Sequence, residues 1–383
     1  MKQTLTPSDL SRSTPEREQI WDNLWRRTSI GRPAVAITPS GKKIDAVKER
    51  YDFEIQDPDC LPVKLVPGWR EALLNALVGI RAAQEMPGDF YPAISVPRPV
   101  HHSAQGITDI FGVVVESQPD GNEYCYPLKP DPGAIRAIVP KPLALSSYWQ
   151  AVEWTRYARQ TTGGLLPFRM AVMAGPIDMA TLILGPTVFL EWIYTEPDTV
   201  HSLLVKITNV IIGMLNALKE AAGGFTCSHH FRCGRGGFDV ASEVRSLISK
   251  EMYADFEAPY LRRIGEACGD YGIHACGNWE RTVENVLTDP HLVAMNGQSK
   301  ENDIATLCRL ADGKLLLSIN SSANLHERFL WKTRKEFLRY VIETVPSGQP
   351  FETCIAEEEL PFWLDCYRKI RGKPFDLPAP MCC

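Results

Sequence analysis

YGIHACGNWERTVENVLTDPHLVAMNGQSKENDIATLCRLADGKLLLSIN, residues 271–320, reads as strand, helix, strand, helix, strand within fifty positions. Tyr271–Cys276, His291–Asn296 and Leu315–Ile319 are short apolar runs bounded by Gly, Asn and Asp. Between them, Val283–Leu287 and Ile304–Ala311 carry apolar residues at helical spacing. Strands this short, buried on both faces and joined by helices, predict a parallel sheet with helices outside it. Such crossovers are nearly always right-handed.

The alternation extends in both directions. Upstream, Phe168–Ala174 is a strand broken by Gly175-Pro176. Pro197–Ala222 is a long helix, with Leu203, Leu204, Ile207 and Ile211 on one face and Gly223-Gly224 after it. Phe225–His230 is the next expected strand, and Lys250–Cys268 the next helix, with a kink expected at Pro259. Downstream, Lys332–Thr344 is a helix. Towards the amino terminus, helices are expected over Glu16–Arg27, Trp69–Met86 and Ser146–Gln160, the last capped by Ser146-Ser147, with a strand over Phe111–Val115. Residues 1–65, polar and broken by prolines, are expected to form an extension, and residues 66–383 the main domain.

Four segments together resemble the uroporphyrinogen decarboxylase superfamily. They are Ala174-Gly-Pro-Ile-Asp-Met-Ala180, Thr195-Glu-Pro-Asp-Thr-Val-His-Ser-Leu-Leu204, Leu247-Ile-Ser-Lys-Glu-Met-Tyr253 with Pro259-Tyr260, and Ile273-His-Ala-Cys-Gly-Asn278. The resemblance implies a (β/α)₈ barrel of the TIM type, with its site at the carboxyl ends of the strands. Within the superfamily the decarboxylases carry an arginine-rich amino-terminal motif suited to a polycarboxylate, and nothing of that kind occurs here. The corrinoid-linked methyltransferases carry His-x-Cys and a further Cys some seventy to eighty residues on. His274 and Cys276 fit the first part, and Cys354, in Glu352-Thr-Cys-Ile-Ala356, fits the second.

Residues i and i+2 of a strand share a face, so His274 and Cys276 can converge on one ion. One nitrogen and two sulfurs suit zinc, and three protein ligands leave an open, catalytic position. Cys308 is a rival third ligand, but it lies within the Ile304–Ala311 helix pattern, where packing is expected.

The segment Phe225-Thr-Cys-Ser-His-His-Phe-Arg-Cys-Gly-Arg-Gly-Gly237 should reach the same rim. His229 or His230 is expected to position substrate or move a proton, and Cys227 or Cys233 to offer a fourth ligand. Arg232 and Arg235 are expected to hold a carboxylate or phosphate. Asp239 falls near the superfamily's Asp ahead of the third segment. Gly175, Asn278 and Trp279 are expected to border substrate, and His101-His102 to lie on the surface.

The resemblance implies methyl transfer between a corrinoid (cobalamin) on a partner protein and a thiol, methylamine, methoxylated compound or folate. Two alternatives stand beside it: a lyase acting on a carboxylated compound, and a barrel that binds a small molecule without turning it over. With 383 residues, 44% hydrophobic and 23% charged, the chain can bury a large core unaided. Its net charge of −5 disfavours nucleic acid and anionic membrane surfaces. Eleven cysteines, an odd number without framework spacing, suit a reducing, cytoplasmic setting, and the terminal Cys382-Cys383 is expected to fray. No secretory signal opens the sequence, the apolar stretches are short for a membrane span, and a homodimer is compatible with it.

Overall fold

A computed structural model describes residues 2–55, 68–97, 103–119, 122–224, 226–299, 301–320 and 333–381. Phe225, His101-His102 and Cys382-Cys383 lie outside the described residues.

Ten strand pieces build the barrel: β1 (Ala34–Thr38), β2 (Ile94–Ser95), β3 (Phe168–Arg169), β4 (Met173–Ala174), β5 (Thr226–Cys227), β6 (Asp239–Ala241), β7 (Tyr271–His274), β8 (Leu292–Gln298), β9 (Leu316–Asn320) and β10 (Phe351–Ala356). All their pairings are parallel, in two runs, β1-β10-β9-β8-β7-β6-β4 and β2-β3-β5. Only three residues separate β3 from β4, so they form one stave shared by both runs. β5 and β6 likewise belong to one stave, interrupted by residues 228–238. The ten pieces thus make the eight staves of a (β/α)₈ barrel. Asp89 closes it: its N–H donates to Val35 O at 2.9 Å, and Val35 N donates back to its carboxylate at 2.9 Å.

Where the chain departs from expectation, tertiary packing is the cause. The expected amino-terminal extension, residues 1–65, contributes a stave to the barrel, because β1 pairs with β10 from Glu352↔Ala34 to Ala356↔Thr38. The strand expected over Phe225–His230 is reduced to Thr226–Cys227, and residues 228–238 turn into the barrel instead. Phe231 and Cys233 are fully buried there, against Trp25 and Leu316. The buried Arg169 guanidinium holds this loop by donating to the carbonyls of Ser228, Phe231 and Tyr91 at 2.6, 2.9 and 2.9 Å. Near Phe111, the strand is Val114–Ser117, in an antiparallel hairpin with Glu123–Tyr126. The break in the 250–268 helix comes at Glu257, and Pro259 lies in the first turn of the second piece, where its missing N–H costs nothing.

Helices α1 (Pro15–Trp25), α2 (Trp69–Gln84), α3 (Gln150–Thr161), α4 (Pro176–Leu184), α5 (Pro197–Ala221) and α6 (Ala258–Cys268) precede β7 in the chain. α1 carries Trp25 into the amino-terminal end of the barrel, beside Ala34, Ala294 and Leu316. α5 is long and apolar enough to cross a membrane by composition, but here it is an outer helix packed on α3, α4 and α6.

Candidate functional site

Register brings the polar residues of the barrel interior level with one another. Ala241 pairs with His274, His274 with Asn296, Asn296 with Ser318, and Ser318 with Glu352. Their side chains form a continuous belt. His274 Nδ1 lies 2.6 Å from Asn296 Oδ1, Asn296 Nδ2 donates to Ser318 Oγ at 3.0 Å, and Ser318 donates to Glu352 Oε1 at 3.2 Å. Asn296 Nδ2 also donates to the Ser318 carbonyl, which fixes its Oδ1 towards His274. That ring therefore keeps a proton on Nδ1, and Nε2 faces the rim.

Around that Nε2 stand Cys276 and Glu243. Cys276 Sγ is 3.5 Å away and Glu243 Oε1 3.3 Å away. Among the described residues, Glu243, His274 and Cys276 form a group whose ligand atoms all lie within 4.8 Å of one another. Tetrahedral zinc with bonds of about 2.0–2.3 Å spaces its ligands by about 3.3–3.8 Å. The two measured separations match that spacing, and the nitrogen, sulfur and oxygen donors suit the ion. Without a metal the His274 ring is charged. Burial opposes its charge, but Cys276, Glu243 and Asn296 outweigh burial and raise its pKa to about 10. The site favours positive charge at the point where a cation would sit.

Two of the three expected ligands therefore meet, and the third does not join them. Cys354 lies on β10, packed beside the Trp25–Phe231 cluster, with burial pushing its thiol up to about 11. Glu243 takes the third place. It follows β6 by two residues just as Cys276 follows β7, at matched register, so the rule that reactive groups sit at the carboxyl ends of staves points to it. Its backbone is held by Asp178 at the start of α4, whose carboxylate accepts from Glu243 N and Val244 N, each at 2.9 Å. Its other oxygen accepts from Cys276 N at 2.6 Å.

His230 stacks on His274, with ring centroids 4.0 Å apart and planes 9° from parallel. Asp239 Oδ2 accepts from His230 N at 2.7 Å and lies 3.1 Å from Nδ1. Asp239 is fully buried, yet His230, Ser228 and a backbone N–H together hold its pKa below the ordinary value. Burial lowers the pKa of His230 despite Asp239. The pair is a carboxylate and a neutral imidazole whose Nε2 is free to accept a proton. His229 is neutral too, with burial pushing it down to about 4.

Several other expected residues make contacts within the fold. Trp279 is fully buried, not exposed to a pocket, and its ring is a platform for the Arg245 guanidinium. Asn278 donates to Glu301 O at 2.7 Å and shapes the turn after β7. Gly175 lets α4 approach β6, since a Cβ there would lie 2.4 Å from Ala241 O. Cys227 and Cys233 are fully buried, and Cys308 packs in the main core, so none offers a thiolate at the rim. Arg235 pairs with Glu18 and Asp22 at the amino-terminal side.

Behind the Glu243 loop, burial and the neighbouring Asp178 raise the Glu257 carboxyl from 4.5 to about 8. The folded protein then keeps a proton that the unfolded chain releases. That contribution is complete below the unfolded value and is lost as pH rises through the folded one. Glu257→Gln is expected to flatten the fall of stability between about pH 5 and 8. Urea midpoints measured across that range would show it, and parallel profiles for variant and wild type would count against it.

Residues 111–296 match the family model described as uroporphyrinogen decarboxylase (URO-D). No curated protein matches in sequence. Among solved structures, a methyltransferase from Methanosarcina mazei is similar at 14% identity, with 95% of this chain and 97% of that one covered and a TM-score of 0.59. A putative vitamin-B12 independent methionine synthase from Listeria monocytogenes aligns at 10% identity over 88% and 95% of the two chains, with a TM-score of 0.41.

Proposed function

We propose that this chain, whose residues 111–296 match the uroporphyrinogen decarboxylase family model, is a zinc-dependent methyltransferase of that fold. The observation that carries the reading is the Glu243/His274/Cys276 group, with Cys276 and Glu243 each at zinc-ligand spacing from His274 Nε2. On this reading the methyl group moves between a corrinoid on a partner protein and a small substrate such as a thiol, methylamine or methoxylated compound. Zinc, when bound, would supply Lewis-acid activation of a sulfur, nitrogen or oxygen atom at the open position.

The protein's own part is orientation and proton handling. Asn296, held by Ser318, keeps His274 Nε2 turned to the rim. Gln298 donates to Cys276 Sγ at 3.2 Å, which holds the sulfur turned towards Nε2. His230 Nε2, oriented through Nδ1 by Asp239, stands beside the group to take the proton of an acidic substrate.

Asp178 acts through Glu243. Asp178→Asn replaces one acceptor oxygen by a donor that opposes the Glu243 or Val244 N–H. Zinc affinity in competition with a chelator is expected to fall by about 10–100-fold, the usual effect of losing an outer partner of a ligand. Unchanged affinity would remove Asp178 from the positioning role.

The experiment that tests the function is zinc stoichiometry followed by methyl transfer. Purified protein never exposed to chelator is expected to hold one zinc per chain, and to demethylate methylcobalamin in the presence of a thiol. Cys354→Ala in the same series decides the fourth position. Unchanged affinity keeps Cys354 as a wall residue, and a loss like that of Cys276→Ala makes it a ligand. A protein without zinc would sink the proposal.

A further inference from the structure

β1 and β2 are neighbouring staves with no strand ladder between them among the described residues, and the Asp89–Val35 contacts join them instead. A cavity of about 270 Å³ enters this seam between β1, β2 and α2. Its walls include Ala36, Ala76, Ala83 and Ala93, with Gly79 on the helix side and Arg232 on the barrel side.

Two features are unexplained by packing. Gly79 sits inside α2, where glycine costs about 1 kcal/mol relative to alanine. A Cβ there would meet nothing within 4 Å, so no close approach requires the glycine. The helix gives up stability at a position that lines the cavity and where a side chain would enter it. Arg232, in turn, is held by its backbone: its N–H donates to Glu352 at 2.8 Å, and its carbonyl accepts from Tyr91 N at 2.9 Å. Its guanidinium makes no hydrogen bond or ion pair with a described residue. A cation held against a mostly apolar wall is complemented by an anion carrying an apolar body.

We propose that the seam cavity binds a small aliphatic carboxylate, with its carboxylate on Arg232 and its alkyl body lying against Gly79. At about 30 Å³ per water-sized group, the volume takes about nine non-hydrogen atoms, the size of a six- to eight-carbon acid. The loop that carries Arg232 also carries His230, which stacks on the metal group. The acid is therefore assigned to the substrate, an assignment that rests on the methyl-transfer reading.

The test is calorimetric titration of the full-length protein with hexanoate and octanoate, with 1-hexanol as the neutral control and zinc content measured on each sample. Hexanoate is expected to bind one per chain, at least tenfold tighter than 1-hexanol. Arg232→Gln is expected to erase that preference. Gly79→Leu is expected to abolish binding with zinc content unchanged and thermal midpoint unchanged or higher, and Gly79→Ala to raise the midpoint, which controls for folding. Wild-type protein that holds zinc but binds neither acid would overturn this inference alone. So would hexanoate binding that survives Gly79→Leu. Acid binding by protein that holds no zinc supports the cavity, and overturns its assignment to a methyl-transfer substrate.

Discussion

Cys276→Ala is expected to leave the purified protein without stoichiometric zinc and without methyl transfer, while the fold persists. The thiol contributes the one sulfur of the Glu243/His274/Cys276 group and is exposed at the rim. Its removal opens no cavity in the core, so the thermal midpoint should change little. Losing one of three protein ligands leaves His274 and Glu243, a pair too weak to retain zinc against a chelator. Elemental analysis and a methylcobalamin assay read the two losses, and circular dichroism reads the fold. If zinc remains at one per chain in this variant, the ion is held elsewhere and the assigned site is wrong. His274→Ala should give the same result, with Asn296 also left without its ring partner.

The second large effect is on stability. Arg169→Met is expected to destabilise the protein by about 3–5 kcal/mol, because three buried carbonyls lose their donor at once and each unpaired group costs about 1–3 kcal/mol. Arg169 is 1% exposed and ties Ser228 and Phe231 of the inserted loop to Tyr91, which lies just ahead of β2. Methionine keeps much of the volume, so the loss reports on hydrogen bonding more than on packing. The same loop carries His230 and Arg232, so activity should fall even at temperatures where the variant stays folded. Urea unfolding gives the energy. A midpoint within experimental error of wild type would show that the loop is held by packing alone.

A large part of the architecture was legible in the sequence, for a physical reason. In residues 168–344 each parallel stave is buried on both faces and each helix presents one apolar side, so period and length identify them with little help from context. The α5 start at Pro197 was readable because proline fits the first helical turn. His274 and Cys276 were legible as a pair because side chains two apart on a strand share a face, whatever the rest of the fold does.

What the sequence alone left open was decided by long-range pairing. β1 reads as part of a polar extension, and only its ladder with β10, more than three hundred residues away, makes it a stave. Residues 228–230 read as the end of a strand, but the burial of Phe231 and Cys233 against Trp25 and Leu316 draws residues 228–238 into the barrel instead. Glu243 carries no local mark. It becomes a ligand candidate because β6 and β7 are in register and Asp178, from another stave's helix, holds its backbone. Cys354 carries the stronger mark in the sequence, and the structure leaves it outside the group, since spacing along a chain does not set distance across a barrel. Local chemistry thus named the donors that one strand can present by itself. Which groups from other staves meet them was set by register and closure of the barrel.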